Sequence, residues 1–194
     1  YVKAVEAIMN ANIEDGTKHG YRLNLVRLVN FLYSKQSKRS KVSSSKKKPK
    51  IASLSGLLHE NLVSDMDAVV AKKGSEKELS DAIHKHLLKA NAEYHPIDLP
   101  QLDVPTFIGH LLALTKKNND GDSIKQEEGP DGKKEKEKQA FLKSYGGHRS
   151  ALTFLFNECE ITPSLQFQTK MSKAMAGLKN TAAKRRGQDG GKLG

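Results

Sequence analysis

Cysteine is nearly absent: Cys159 stands alone among 194 residues, so no disulfide can form within the chain. That suits a reducing compartment, and Cys159 reads as a small apolar residue of a helix rather than a nucleophile. Apolar residues make up only 37%, and no apolar run approaches the roughly 20 residues that a membrane span needs. One compact core using every residue is not expected, and some segments should be solvated. The period-two alternation of a half-buried strand is missing throughout, which leaves an all-α chain. Missing too are a phosphate-cradling glycine loop, a dinucleotide fingerprint, a zinc-ligand cluster and a nucleophile elbow. His84 and His86 are two apart and so on different helical faces, with His95 beyond them. Asp65, Asp67 and Asp81 bracket no recognisable pocket. No catalytic residue, cofactor or metal is expected.

Negative charge is outnumbered. Lys and Arg total 33 against 22 Asp and Glu, a formal net charge of +11. Such an excess does not choose a fold, but it biases partners toward polyanions such as nucleic acid or an anionic membrane.

The apolar residues that are present recur at helical spacing. Residues 1 to 14 carry Val2, Val5, Ala7, Ile8 and Met9, enough for a short lead helix. Thr17 is then a plausible N-cap for a helix running to about Gln36. Its stripe is Tyr21, Leu25, Leu28, Val29 and Leu32, with Lys18, Arg22 and Arg27 off it. From Lys35 to Lys50 no acidic residue occurs, so the segment through Lys46-Lys47-Lys48-Pro49-Lys50 reads as an exposed, self-repelling linker. A nuclear-localisation signal and a non-specific phosphate grip are the two functional readings of it beside a solvated loop, and a nuclear location is expected. Leu54, Leu57, Leu58, Leu62, Met66, Val69 and Val70 mark one further helix. Ser75 caps another, striped by Leu79, Ile83, Leu87 and Leu88.

After Pro96 and Pro100, Asp103 or the residue beside it caps a helix with Pro105 in its first turn. Phe107, Ile108, Leu111, Leu112 and Leu114 make it the most buried helix expected. Residues 116 to 138 offer little to bury and read as a solvated insertion, whose Lys-Glu alternation leads into the next helix. That helix starts at or just before Ser144 and buries Leu152, Leu155, Phe156 and Cys159, with Tyr145 and Ala151 contributing. Gly146-Gly147 so early in it suggests close approach of another backbone, of a neighbouring helix or of DNA. Pro163 opens the last helix, striped by Leu165, Phe167, Met171, Met175 and Leu178 and running into Lys184-Arg185-Arg186.

The segment Gly16-Thr17-Lys18-His19-Gly20-Tyr21-Arg22-Leu23 through Leu32 resembles the first helix of the core-binding domain of tyrosine recombinases, the phage-integrase type. Pro105 to Leu114 looks like the second helix of that family, and Lys143-Ser144-Tyr145-Gly146-Gly147-His148-Arg149-Ser150-Ala151-Leu152 the third. Phe167 to Arg186 looks like the fourth. The run from Tyr145 to Leu152 is most similar to eukaryotic, Crypton-like members. The resemblance covers about residues 16 to 35 and 97 to 187.

It implies a bundle of four to six helices, a SAM-like core-binding domain over 16 to 187. The stretches at about 36–95 and 116–140 would be long basic or disordered insertions, including two helices between 53 and 92. Residues 1–15 would be a lead. The chain opens on Tyr1 and closes on Gly190-Gly191-Lys192-Leu193-Gly194, so residues 188–194 would begin a linker to a separate catalytic domain. In that family the two domains clamp duplex DNA, and the catalytic groups lie in the other domain. No catalytic residue is carried over, and Tyr145 is not cast as the nucleophile. The expected partner is double-stranded DNA, with self-assembly on DNA belonging to a full-length protein.

Basic side chains on solvent faces of the first, third and fourth of these helices would contact phosphates. The candidates are Lys18, Arg22, His148, Arg149, Lys170, Lys173, Lys179, Lys184, Arg185 and Arg186, with Arg149 foremost. The bland account of each is a solvated surface charge or, for Arg149, a salt bridge inside the bundle. Two other functions compete: a non-enzymatic chromatin or transcription protein that keeps a DNA-binding bundle, and a protein-interaction module whose lysines serve solubility.

Overall fold

A computed structural model describes residues 15–40, 56–121 and 132–189, with side chains over 15–36, 56–114 and 145–180. The expected lead helix at 1–14, most of the basic linker and part of the 116–138 tract lie outside the described residues. Among those described there are six helices and no named strand. They are α1 (Asp15–Ser40), α2 (Glu60–Ala71), α3 (Glu76–Leu88), α4 (Val104–Gly121), α5 (Gly132–Glu158) and α6 (Leu165–Asp189). The protein is an all-α bundle.

Helix α1 is the central element and packs against α3, α4 and α5. Leu25, Leu28, Val29 and Leu32 are all buried along it, one stripe at spacings of three and four. It begins by Asp15, so Thr17 lies inside the first turn and is not the N-cap expected of it. Helix α6 docks on α4 through a stripe that includes buried Met171 and Met175.

Helices α2 and α3 form a tight pair, and their core faces merge with that of α1. Leu62, Met66 and Ile83 are each 0% exposed, so this stretch, expected as an insertion, is built into the common core. Helix α3 starts on a capping box. Glu78 N donates to Ser75 Oγ at 3.2 Å and Ser75 N donates to Glu78 Oε2 at 2.6 Å, which satisfies two of the donors that a helix start leaves orphaned. Just before it, Gly74 N donates to Val69 O at 2.9 Å. A Cβ at Gly74 would come within 2.7 Å of Val69 Cγ1 and 2.8 Å of Glu78 Oε2, so any other residue in this turn would displace Val69 and the capping carboxylate.

Leu57 and Leu58 belong to no helix. Leu58 pairs with Ile97 in one antiparallel bridge, with Asp98 N donating to Leu57 O at 2.8 Å and His59 N to Pro96 O at 3.1 Å. His59 then caps α2, its Nδ1 accepting from Asn61 N. The bridge fixes the long α3–α4 connection, which drives Ile97, Leu99 and Leu102 into the core. That connection is also clasped at Tyr94. Its hydroxyl hydrogen-bonds His86 Nδ1, and His86 Nε2 meets Asp65 Oδ2 at 3.0 Å. With the His86 proton on Nε2, all three groups are satisfied. The hydrogen bond from His86 holds the Asp65 carboxyl below its usual range, and burial raises the Tyr94 hydroxyl. Asp103 caps α4, accepting from Thr106 N at 2.8 Å.

Candidate nucleic-acid interface

The ten basic residues expected to meet phosphate do not share one environment. Lys18 and Arg22 are half-buried, not on the solvent face. The reason is periodicity: Lys18, Arg22, Val26 and Val29 succeed one another at spacings of four and three, so the two cations continue the core stripe of α1 toward its start. The Arg22 guanidinium lies 5.8 Å from the Phe154 ring centroid of α5, and its Nε is buried without a hydrogen-bond partner. Tyr21 packs on the same ring at 5.6 Å. Arg22 therefore acts as packing and a cation–π partner between α1 and α5.

His148 departs furthest from expectation. It is 2% exposed and cannot reach a phosphate without opening the bundle. It continues the stripe of α5 through Leu152 and Leu155, at i+4 and i+7, both buried. Its Nδ1 lies 3.3 Å from Nε2 of His110 on α4, itself 1% exposed, and the rings meet edge to face at 5.0 Å. Phe31 of α1 covers His110 at 5.5 Å. Burial pushes His110 down to about 3, helped by His148 and by Arg27 of α1. Burial and Arg27 push His148 down to about 4. Both imidazoles are thus neutral at physiological pH, and one donates to the other. His148 Nε2 has no partner. If His148 Nδ1 donates, that orphan is a bare lone pair rather than a stranded N–H, the cheaper arrangement.

Arg149, the next residue, is exposed, as are Lys170, Lys173 and Lys179. Arg149 and Lys179 converge. With Tyr145, Gly146 and Met175 they line one depression of about 170 Å³ between α5 and α6. Tyr145 and Arg149 are four apart on α5, and Met175 and Lys179 four apart on α6, so two facing pairs close it. Tyr145 and Met175, 4% and 6% exposed, form the floor, and the two cations form the rim. The helices touch through Phe156 and Phe167, whose ring centroids are 5.6 Å apart, and the depression opens beyond that contact. At about 100° per residue, Lys170 and Lys179 lie roughly 180° apart around α6. Lys170 therefore sits on the other flank of the buried stripe, and Lys173 on the face opposite that stripe. Lys184, Arg185 and Arg186 continue the α6 backbone, but their side chains lie outside those described.

The glycine pair divides in its role. A Cβ at Gly147 would stand 3.3 Å from Asn24 Nδ2 of α1, whereas one at Gly146 would meet nothing within 4 Å. The close approach of another backbone expected from the sequence is not found at either glycine; at Gly147 the neighbour is a side chain of α1 instead. Gly146 faces open space beside Arg149.

Comparison with known protein families, with curated proteins and with solved structures finds no match to this chain. The site stands on its geometry. Among the described residues no group of three potential ligands is placed to hold a metal ion, and no helix is long and apolar enough to cross a membrane.

Sequence reasoning missed His110, and it set Tyr145 and Met175 on the core faces of their helices without joining them into one site. A signal for His110 exists: it falls on the buried stripe of α4, three after Phe107 and next to Leu111. No local signal marks Tyr145 and Met175 as neighbours, because that contact depends on how α5 and α6 are docked.

Proposed function

We propose that this chain binds duplex DNA through its backbone, as the core-binding domain of a tyrosine recombinase of the Crypton-like type. The observation that carries the DNA reading is the convergence of Arg149 and Lys179, from two helices, on one surface depression. No ion pair neutralises either of them among the described residues. In a chain of net charge +11, exposed cations that no carboxylate answers favour a polyanion over a protein partner. The recombinase reading draws on the four segments of resemblance, which fall on α1, α4, α5 and α6. Helix α1 packs on α4 and α5, and α4 on α6, so these four helices make a connected set. The proposed role is to grip DNA. Strand cleavage in that family belongs to a separate domain, and a nuclear location fits the same reading.

Titrating a labelled duplex with the full chain at rising salt tests the DNA reading. Release of counterions from several phosphates predicts a fall in affinity of roughly 10³-fold or more between 50 and 200 mM salt. A lack of duplex binding at low salt would sink it.

A further inference from the structure

We propose that the depression between α5 and α6 seats one backbone phosphate of the duplex, held between the Arg149 guanidinium and the Lys179 ammonium. This rests on the DNA-binding reading and names the contact at its centre. Three features combine there. Arg149 offers a planar fork of donors and Lys179 a mobile point charge, a pair that can bind a phosphate from two sides. Both stand on the rim of one concavity whose floor is buried Tyr145 and Met175, so an anion seated there loses water on one side and its attraction to the cations is less screened. Gly146 also lines the depression, and a Cβ at that position would meet no protein atom within 4 Å. The missing side chain keeps the mouth open on the α5 side, next to Arg149, where a sugar-phosphate chain has to approach.

Glycine inside a helix lowers stability by about 1 kcal/mol against alanine. At Gly146 no neighbouring atom requires it, since even a Cβ would fit, in contrast to Gly147 against Asn24. A ligand that approaches there gives Gly146 a reason that the fold does not. Lys170 and Lys173, on other faces of α6, are outside this site and serve as internal controls.

The decisive variant keeps every charge. Gly146→Leu in the full chain places a side chain in the mouth, on a residue type that favours the helix. It should weaken binding of a labelled duplex roughly tenfold or more, the scale of a lost charge-assisted contact, with thermal stability unchanged or raised. Gly146→Ala, whose Cβ fits, should bind nearly as wild type. Arg149→Ala and Lys179→Ala should each weaken binding. Because both hold the same phosphate, the double variant should lose less than the sum of the two, and the slope of log affinity against log salt should fall by about 0.9 in total. Additive losses with a slope change near twice that value would mean two separate phosphates and overturn the proposal. Wild-type affinity in Gly146→Leu would overturn it as well. If Lys170→Ala and Lys173→Ala weaken binding while the Arg149 and Lys179 variants do not, the DNA reading stands and this site falls. If inorganic phosphate shifts the NMR signals of Gly146 and Arg149 while duplex affinity ignores all these variants, the depression is a free-anion site and the proposal fails. Absence of duplex binding by the wild type removes the parent reading itself.

Discussion

At the scale of single residues, the His110–His148 pair ties α4 to α5 through one buried hydrogen bond, and its worth depends on both rings staying neutral. An unfolded histidine takes up its proton near 6.5, whereas in the fold His148 does so only at about 4 and His110 at about 3. Between those values the unfolded chain binds more protons than the folded one, so acid favours unfolding. The pair's contribution is complete above about 6.5 and is lost as pH falls toward about 4. The slope is at most about 1.4 kcal/mol per pH unit for each ring. Denaturant unfolding followed from pH 7.5 to 4.5 should show this decline. In the double variant His110→Phe/His148→Phe, which removes both polar rings together, the decline over that range should be markedly shallower. An equally steep loss in the double variant would assign acid sensitivity to other groups. A histidine beside an arginine reads in sequence as part of a basic patch. Only its register with Leu152 and Leu155 shows that the two neighbours point to opposite environments.

Among whole elements, what was legible depended on whether the deciding contacts were local. Ser75 and Glu78 are three residues apart, and Ser75 was readable as a cap because the cap bonds lie within that turn. For the same reason the cap of α4 was readable to within one residue, at Asp103 or its neighbour. Ser75→Ala should cost roughly 1 kcal/mol, visible as a lowered melting temperature. Ser75→Asp, which can accept the same bond, should retain most of the stability. The end of α2 nearest the bridge was not legible. Leu57 and Leu58 fit the helical spacing of Leu62 and Met66, but the partner that draws them out of the helix, Ile97, is distant in sequence. The same distance hid the integration of α2 and α3 into the core. With Leu62 and Met66 at 0% exposure, Leu62→Ala should destabilise the domain by about 2–5 kcal/mol. One cooperative transition should shift as a whole. A separate early transition of α2 and α3, with α1 and α5 unaffected in hydrogen exchange, would show that this pair folds as an appendage.

Across the whole molecule, apolar spacing and the absence of alternation were enough for the all-α class, because both are sums over many positions. The helix expected to be most buried, α4, is not: α1 holds the centre and Leu112 of α4 is 45% exposed, because α1, α4, α5 and α6 carry comparable stripes and only their docking ranks them. Net charge is likewise a sum, and it acts at a distance where individual contacts do not. Fields of this kind speed encounter with a polyanion and are screened within about 10 Å at 0.1 M salt. Lys46, Lys47, Lys48 and Lys50 carry four of the positive charges within five residues. Their replacement by glutamine separates the field from the grip proposed at Arg149 and Lys179. If these lysines steer, the association rate with duplex should drop severalfold at 50 mM salt and the difference should shrink by 300 mM, with the dissociation rate little changed. Stopped-flow fluorescence resolves the two rates. A faster dissociation with an unchanged association rate would instead place these lysines in direct contact with phosphate, and the DNA-binding surface would extend well beyond α5 and α6.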